Sequence, residues 1–306
     1  MFLQKAGTRW SSSNPFFFLN QANGTDIKQG AQRSRTKRTA KSCSTCPRTE
    51  KTGEWNKPII FAHPSAIHLA RRVLASSSKD PLLEQLISFD TTFECGDAYV
   101  TAITVRNIEI EGDPIFPVIF MFHENPSEEQ HAMLWNVVER KLGLSKLINI
   151  PVACDREKAP IKAFKSAVPG GEKQLVFCHN HILRNVDFWL KKNGLTKNEI
   201  KLYKNEVLIL LESTSKDEFA QWEVKFLSKW SLAFKEYYIA HLAEDIRSHA
   251  AKFIMKRFAA FKNKTLSNNI SESLNRMMKV ELHWKEHKLD FLFILLFQLQ
   301  HTLVAV

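Results

Sequence analysis

Apolar and polar positions alternate or recur along this chain in a way that divides it into short strands and amphipathic helices. Ser65 to Leu74 carries apolar residues at helical spacing, and Leu86 to Phe89 is a short apolar run leading into Asp90. Tyr99 to Val105 alternates, with Thr at the polar positions, and Phe116 to Phe122 is apolar between Pro114 and Asn125-Pro126. Three such runs at close spacing predict an antiparallel meander. Ser127 to Leu142 then reads as a helix, with Ser127 as N-cap and Glu128 and Glu129 in the first turn, where carboxylates suit the helix dipole. A fourth strand is expected from Ile148 to Ala153, ending at Asp155, and a helix from Glu157 to Val168, stopped by Pro169-Gly170-Gly171. Gln174 to Phe177 makes a fifth strand, and His181 to Lys192 a helix closed by Asn193-Gly194. Strand and helix alternate after the meander, so the expected fold is α/β with a mixed five-stranded sheet and flanking helices.

Residues 195–262 carry no strand signal. Their 3.6-residue stripes, such as Phe219, Trp222, Phe226, Trp230 and Phe234, predict an all-helical insertion with a buried aromatic face. Two further helices, at about 268–284 and from 288 onward, complete the pattern. Val306 arrives inside a helical pattern without a capping Gly or polar tail, so the last helix is expected to be cut short. The expected organisation is therefore an arm over 1–55, the first part of a core over 56–194, the insertion over 195–262 and the C-terminal helices of the core over 263–306.

Charge adds the arm's character. The chain carries 43 Lys and Arg against 32 Asp and Glu, a formal +11. Residues 1–51 hold ten basic residues, among them Arg33, Arg35, Lys37 and Arg38, against Asp26 and Glu50, a net +8. A basic, turn-rich arm on a nearly neutral body points to an acidic partner, with nucleic acid first, an anionic membrane surface second, and a disordered tail or localisation signal as the bland reading. The five cysteines have no disulfide-framework spacing, which favours a reducing compartment. No secretory leader pattern follows Met1, and the apolar run Phe291 to Phe297 is too short to span a bilayer.

Three acids stand where a metal-dependent nuclease would place them. Asp90 and Asp155 lie at or near predicted strand ends, 65 residues apart, and Glu272 lies on a helix 117 residues beyond Asp155. Carboxylate oxygens suit hard cations, and two such ions about 3.5–4 Å apart can activate one oxygen and stabilise another in displacement at phosphorus. Periodicity by itself gives a blander picture. Ile270, Leu274, Met277 and Met278 mark the apolar stripe of the last-but-one helix, which puts Glu272 with Asn275 and Lys279 on the opposite, solvated face. Cys43-x-x-Cys46 and Cys178-x-x-His181 each supply two ligands where structural zinc takes four, so zinc is not expected at either, and Cys178 and His181 are read as packing or positioning residues.

The words around the acids occur in a family's order: Asp90-Thr91-Thr92-Phe93, Asp155-x-Glu157-x-Ala159, Cys178-His179-Asn180-His181, and Ser267-Asn268-Asn269-Ile270-Ser271-Glu272-Ser273-Leu274-Asn275. From about residue 58 to 302 the sequence resembles the Mutator-like element (MULE) transposases. That resemblance implies an RNase H-like core in which Asp90, Asp155 and Glu272 are catalytic and hold two Mg²⁺ or Mn²⁺ ions, with Cys178 and His181 as the family's Cys/His signature. It implies a nuclear DNA transposase that cuts at transposon ends and transfers strands into target DNA, in a homo-oligomeric complex and without a membrane. The rival reading is a decayed or host-adopted derivative that binds DNA without cutting it. A nuclease of the related hAT group is a third reading, disfavoured by the Ser-Asn-Asn-x-x-Glu-Ser word. Members of the family carry an N-terminal zinc-binding module, of which only Cys43 and Cys46 are a trace here.

Overall fold

A computed structural model describes residues 57–80, 82–92, 98–261, 269–283 and 287–305. The basic arm, including Arg33, Arg35, Lys37, Arg38, Cys43 and Cys46, lies outside the described residues. Six strands form one mixed sheet in the order β1-β4-β3-β2-β5-β6. β2 (Ile87–Thr92), β3 (Tyr99–Arg106) and β4 (Ile115–His123) make the expected antiparallel meander. β5 (Val152–Cys154) and β6 (Leu175–Phe177) extend it in parallel beyond β2, each after a helical crossover.

Two features depart from the sequence expectation. The sheet has six strands instead of five, because Ile59–Phe61 pairs antiparallel with Phe120 to Phe122 as β1. Three residues directly before a Pro-initiated helix are too few to show a period. The strand expected from Ile148 begins only at Val152. Ile148 is exposed in a turn that follows a single 3₁₀ turn at Leu144–Lys146.

The helices form for local reasons that the sequence carries. In α2 (Glu128–Leu142) the Ser127 hydroxyl accepts the Gln130 N–H, and Gly143, at φ 67°, ends the helix in the left-handed region where glycine meets no Cβ penalty. Its buried face, Leu134, Trp135, Val138 and Leu142, packs with α1 (Pro64–Lys79), α3 (Lys158–Ala167) and α4 (His179–Lys192) into the principal core, over Ile87, Phe89, Ile103 and Val105.

The sheet's opposite face carries Val100, Ala102, Phe120 and Phe122. These pack against Leu274 and Met278 of α9 (Asn269–Glu281), Leu282 directly after it, and Leu292 and Leu296 of α10 (Leu289–Val304). Full burial of side chains of this size stabilises by about 1.5–3 kcal/mol each. Gln300 pins α10 to the sheet by donating to the Pro117 and Val118 carbonyls and accepting the His63 N–H.

Residues 195–261 are helical throughout their regular elements: α5 (Lys197–Glu212), α6 (Lys216–Leu227), α7 (Leu232–His241), the short α8 (Ala243–Asp245), a π turn over 246–250 and 3₁₀ turns over 252–257 and 259–261. Phe219, Phe226, Trp230 and Phe234 are buried as the stripe predicts, and Trp222 is half-buried. Trp230 also satisfies a buried acid, donating its indole N–H to Glu206 at 2.6 Å.

Candidate functional site

The parallel strands bring three chemistry-bearing residues to one end of the sheet. Ser88 pairs with Ala153, and Cys154 with Phe177. Continuing that register sets Asp90 beside Asp155, and Asp155 beside Cys178, at the strand separation of about 4.8 Å. Side chains alternate along a strand, so Phe89 enters the principal core while Ser88 and Asp90 turn to the other face, against α9.

α9 meets that face through a seam of Ser271, Leu274 and Met278, with the Ser271 hydroxyl 2.5 Å from that of Ser88. Glu272 and Asn275 flank the seam and turn toward the strand ends. The polar side of this helix, which periodicity assigns to solvent, thus faces a cleft at Glu272, whose side chain is 29% exposed.

Each acid already has a partner within the protein. Asp90 accepts the Thr91 N–H at 2.9 Å on one oxygen and the Asn275 amide at 2.6 Å on the other. Asp155 lies 2.8 Å from His181 Nδ1. Glu272 receives Arg184 through both guanidinium nitrogens, at 3.0 and 3.4 Å, and stands 3.6 Å from His181 Nε2.

The electrostatics follow from this crowding. Burial, and then the neighbouring Asp155 charge, push the Asp90 carboxyl up to about 7, against the opposing pull of His181. Glu157 is raised for the same two reasons, burial first. Burial opposes charge on His181, but Asp155 and the Cys178 sulfur outweigh it and raise the imidazole to about 10. A cavity of about 480 Å³ opens beside the cluster, lined by Asp155, Glu157 and His181 together with the rings of Trp189 and Tyr237, which stack at 4.7 Å.

Asp155 lines that cavity, Asp90 stands beside it across the strands and Glu272 approaches through His181, but the expected cofactor set does not fit this cluster. Among the described residues, the group whose donor atoms all approach within 4.8 Å of one another is Cys178, His181 and Glu272. Three carboxylates converging on Mg²⁺ or Mn²⁺ are not what the geometry offers. A thiol and an imidazole are soft and borderline donors that suit zinc, whereas Mg²⁺ takes oxygen ligands. The expectation that zinc is excluded at Cys178 and His181 counted two ligands because it looked only within the Cys-x-x-His segment. The third comes from α9, 91 residues after His181.

Cys178 is the N-cap of α4 and His181 stands three residues on, so the two side chains share one turn. His179 points away from the cluster, with its Nε2 2.6 Å from the Ala250 carbonyl. Arg184 and Asn275 were not singled out by sequence reasoning as site residues. Asn275 closes the Ser267-to-Asn275 segment, and Arg184 lies one helical turn beyond His181, which is the sequence signal either residue carries. Compared with known families and curated proteins, the sequence matches no family model and no individual protein. Among the described residues, no helix is long and apolar enough to cross a membrane.

Proposed function

We propose that this chain is a DNA-binding protein on a transposase-like, RNase H-like scaffold, and that it acts without cutting DNA. The observation that carries this reading is the internal pairing of all three acids: Asp90 with Asn275, Asp155 with His181, and Glu272 with Arg184. Carboxylates that hold catalytic cations need oxygens directed at a shared point, and here Asp90 accepts the Thr91 and Asn275 N–H groups, Glu272 accepts Arg184, and Asp155 stands in an ion pair with His181. DNA is the favoured partner because of the formal +11 and the ordered words shared with the Mutator-like transposases.

Cleavage with strand transfer is the second reading. It is favoured by the adjacency of Asp90 and Asp155 and by the raised pKa that results, a pattern common where carboxylates do chemistry. Titrating the full chain with duplex DNA over a salt series, beside a nicking assay with divalent cations on the same duplex, separates the two. Salt-sensitive binding without nicks is expected. Cation-dependent nicks that vanish in Asp155→Ala would establish the catalytic reading, and absence of DNA binding at low salt would overturn both.

A further inference from the structure

We propose that Cys178, His181 and Glu272 form a zinc-class metal site whose place is held by the guanidinium of Arg184. The inference stands on the cluster's own geometry and goes beyond the DNA-binding reading. At Zn–N and Zn–O lengths of about 2.0–2.2 Å, two bonds meeting at the tetrahedral angle set their ligand atoms about 3.3–3.6 Å apart. His181 Nε2 and Glu272 Oε1 are 3.6 Å apart, and the three donor atoms all lie within 4.8 Å of one another. Two of the ligands thus already stand at the spacing of a tetrahedral edge.

The imidazole is oriented in the manner of metal-binding histidines. Asp155 sits 2.8 Å from Nδ1, the ring nitrogen remote from Glu272, which leaves Nε2 for the ion. A carboxylate on the far nitrogen is the usual companion of a metal-bound histidine, because it sets the ring's direction and strengthens its donor. In this arrangement Asp155 is a positioning residue and Glu272 a direct ligand, so the two acids have different tasks. Cys178, the N-cap of α4, would bind zinc as its thiolate, so metal binding releases a proton.

Arg184 marks where the ion would sit. Its Nη1 lies 3.0 Å from Glu272 Oε1 and 3.5 Å from His181 Nε2, touching two of the three donors with positive charge. Ion and guanidinium cannot both occupy that position. The Arg184 side chain is 62% exposed, so it can swing into solvent when displaced. Three protein ligands leave a fourth position for water, the arrangement of open zinc sites.

Titration of the full chain with Co²⁺, followed by competition with Zn²⁺, tests the proposal. One ion per chain is expected, with a thiolate-to-cobalt charge-transfer band that Zn²⁺ abolishes and Mg²⁺ leaves in place. Cys178→Ser should remove the band, while Cys43→Ser with Cys46→Ser should keep it. Arg184→Ala, an exposed substitution that leaves the core intact, should tighten binding by about 1.4- to 5-fold, the worth of releasing a partly exposed ion pair. No band in the parent chain, a band that survives Cys178→Ser, or unchanged or weaker binding in Arg184→Ala would each overturn it.

Discussion

Asp90→Asn should stabilise the protein at pH 8 and leave it unchanged near pH 3. The carboxyl is raised from 3.8 to about 7 by burial and by the Asp155 charge. Between those values the folded state binds a proton that the unfolded state has released. Stability contributed by this group is then fully present below about pH 4 and falls as pH rises toward 7. At 1.36 kcal/mol per pH unit the ceiling is about 4 kcal/mol, and rotation and water entry on ionisation reduce this to about 1–3 kcal/mol. The amide retains the shape of the carboxyl and can still accept the Thr91 N–H, while the Asn275 amide can turn over to present its oxygen. Thermal unfolding of parent and variant from pH 3 to 8, with a chelator present, should show curves that separate with rising pH. At roughly 2–4 °C per kcal/mol for a domain of this size, the gap at pH 8 is several degrees. Parallel curves, or a variant that loses ground to the parent as pH rises, would refute the reasoning about Asp90.

Three other outcomes test the packing and the arm. Trp230→Phe removes the donor that satisfies Glu206, itself 7% exposed, and should cost about 1–3 kcal/mol by denaturant titration, with recovery when Glu206→Leu is added. Gln300→Leu strips hydrogen bonds from His63, Pro117 and Val118 and should destabilise by at least about 2 kcal/mol, which would also loosen hydrogen-exchange protection in β4 and α10. Deleting residues 1–55 should flatten the salt dependence of DNA binding by about 0.9 in log-log slope for each phosphate that the arm neutralises, and an unchanged slope would assign binding to the body.

The elements that could be read from the residues are those whose signals are local. Ser127 with two following glutamates announces α2, alternating Thr announces β3, and the aromatic stripe of 219–234 announces a buried helical face. β1 escapes because it gains its identity from pairing with β4 rather than from a period of its own. Asp155 was legible as a strand-end acid, directly after β5, whereas Asp90 lies inside β2, which runs on to Thr92 through its pairing with β3. The partners of those acids were not legible. Asn275 reaches Asp90 across 185 residues and Arg184 reaches Glu272 across 88, pairings that packing creates and spacing does not encode. The cofactor expectation failed for the same reason, because a three-donor set spread over α4 and α9 looks like two ligands when only the segment is read.

Both margins of the sheet, among the described residues, are three-residue strands: β1 beyond β4, and β6 beyond β5. At about 3.3 Å per residue each margin is some 10 Å long, too brief a row of unpaired N–H and C=O groups to template a strand from another molecule. Copies of this protein that associate would therefore have little to gain from joining sheets edge to edge. Their association falls to the helical faces, where side-chain fit and charge choose the partner more sharply than repetitive backbone pairing does.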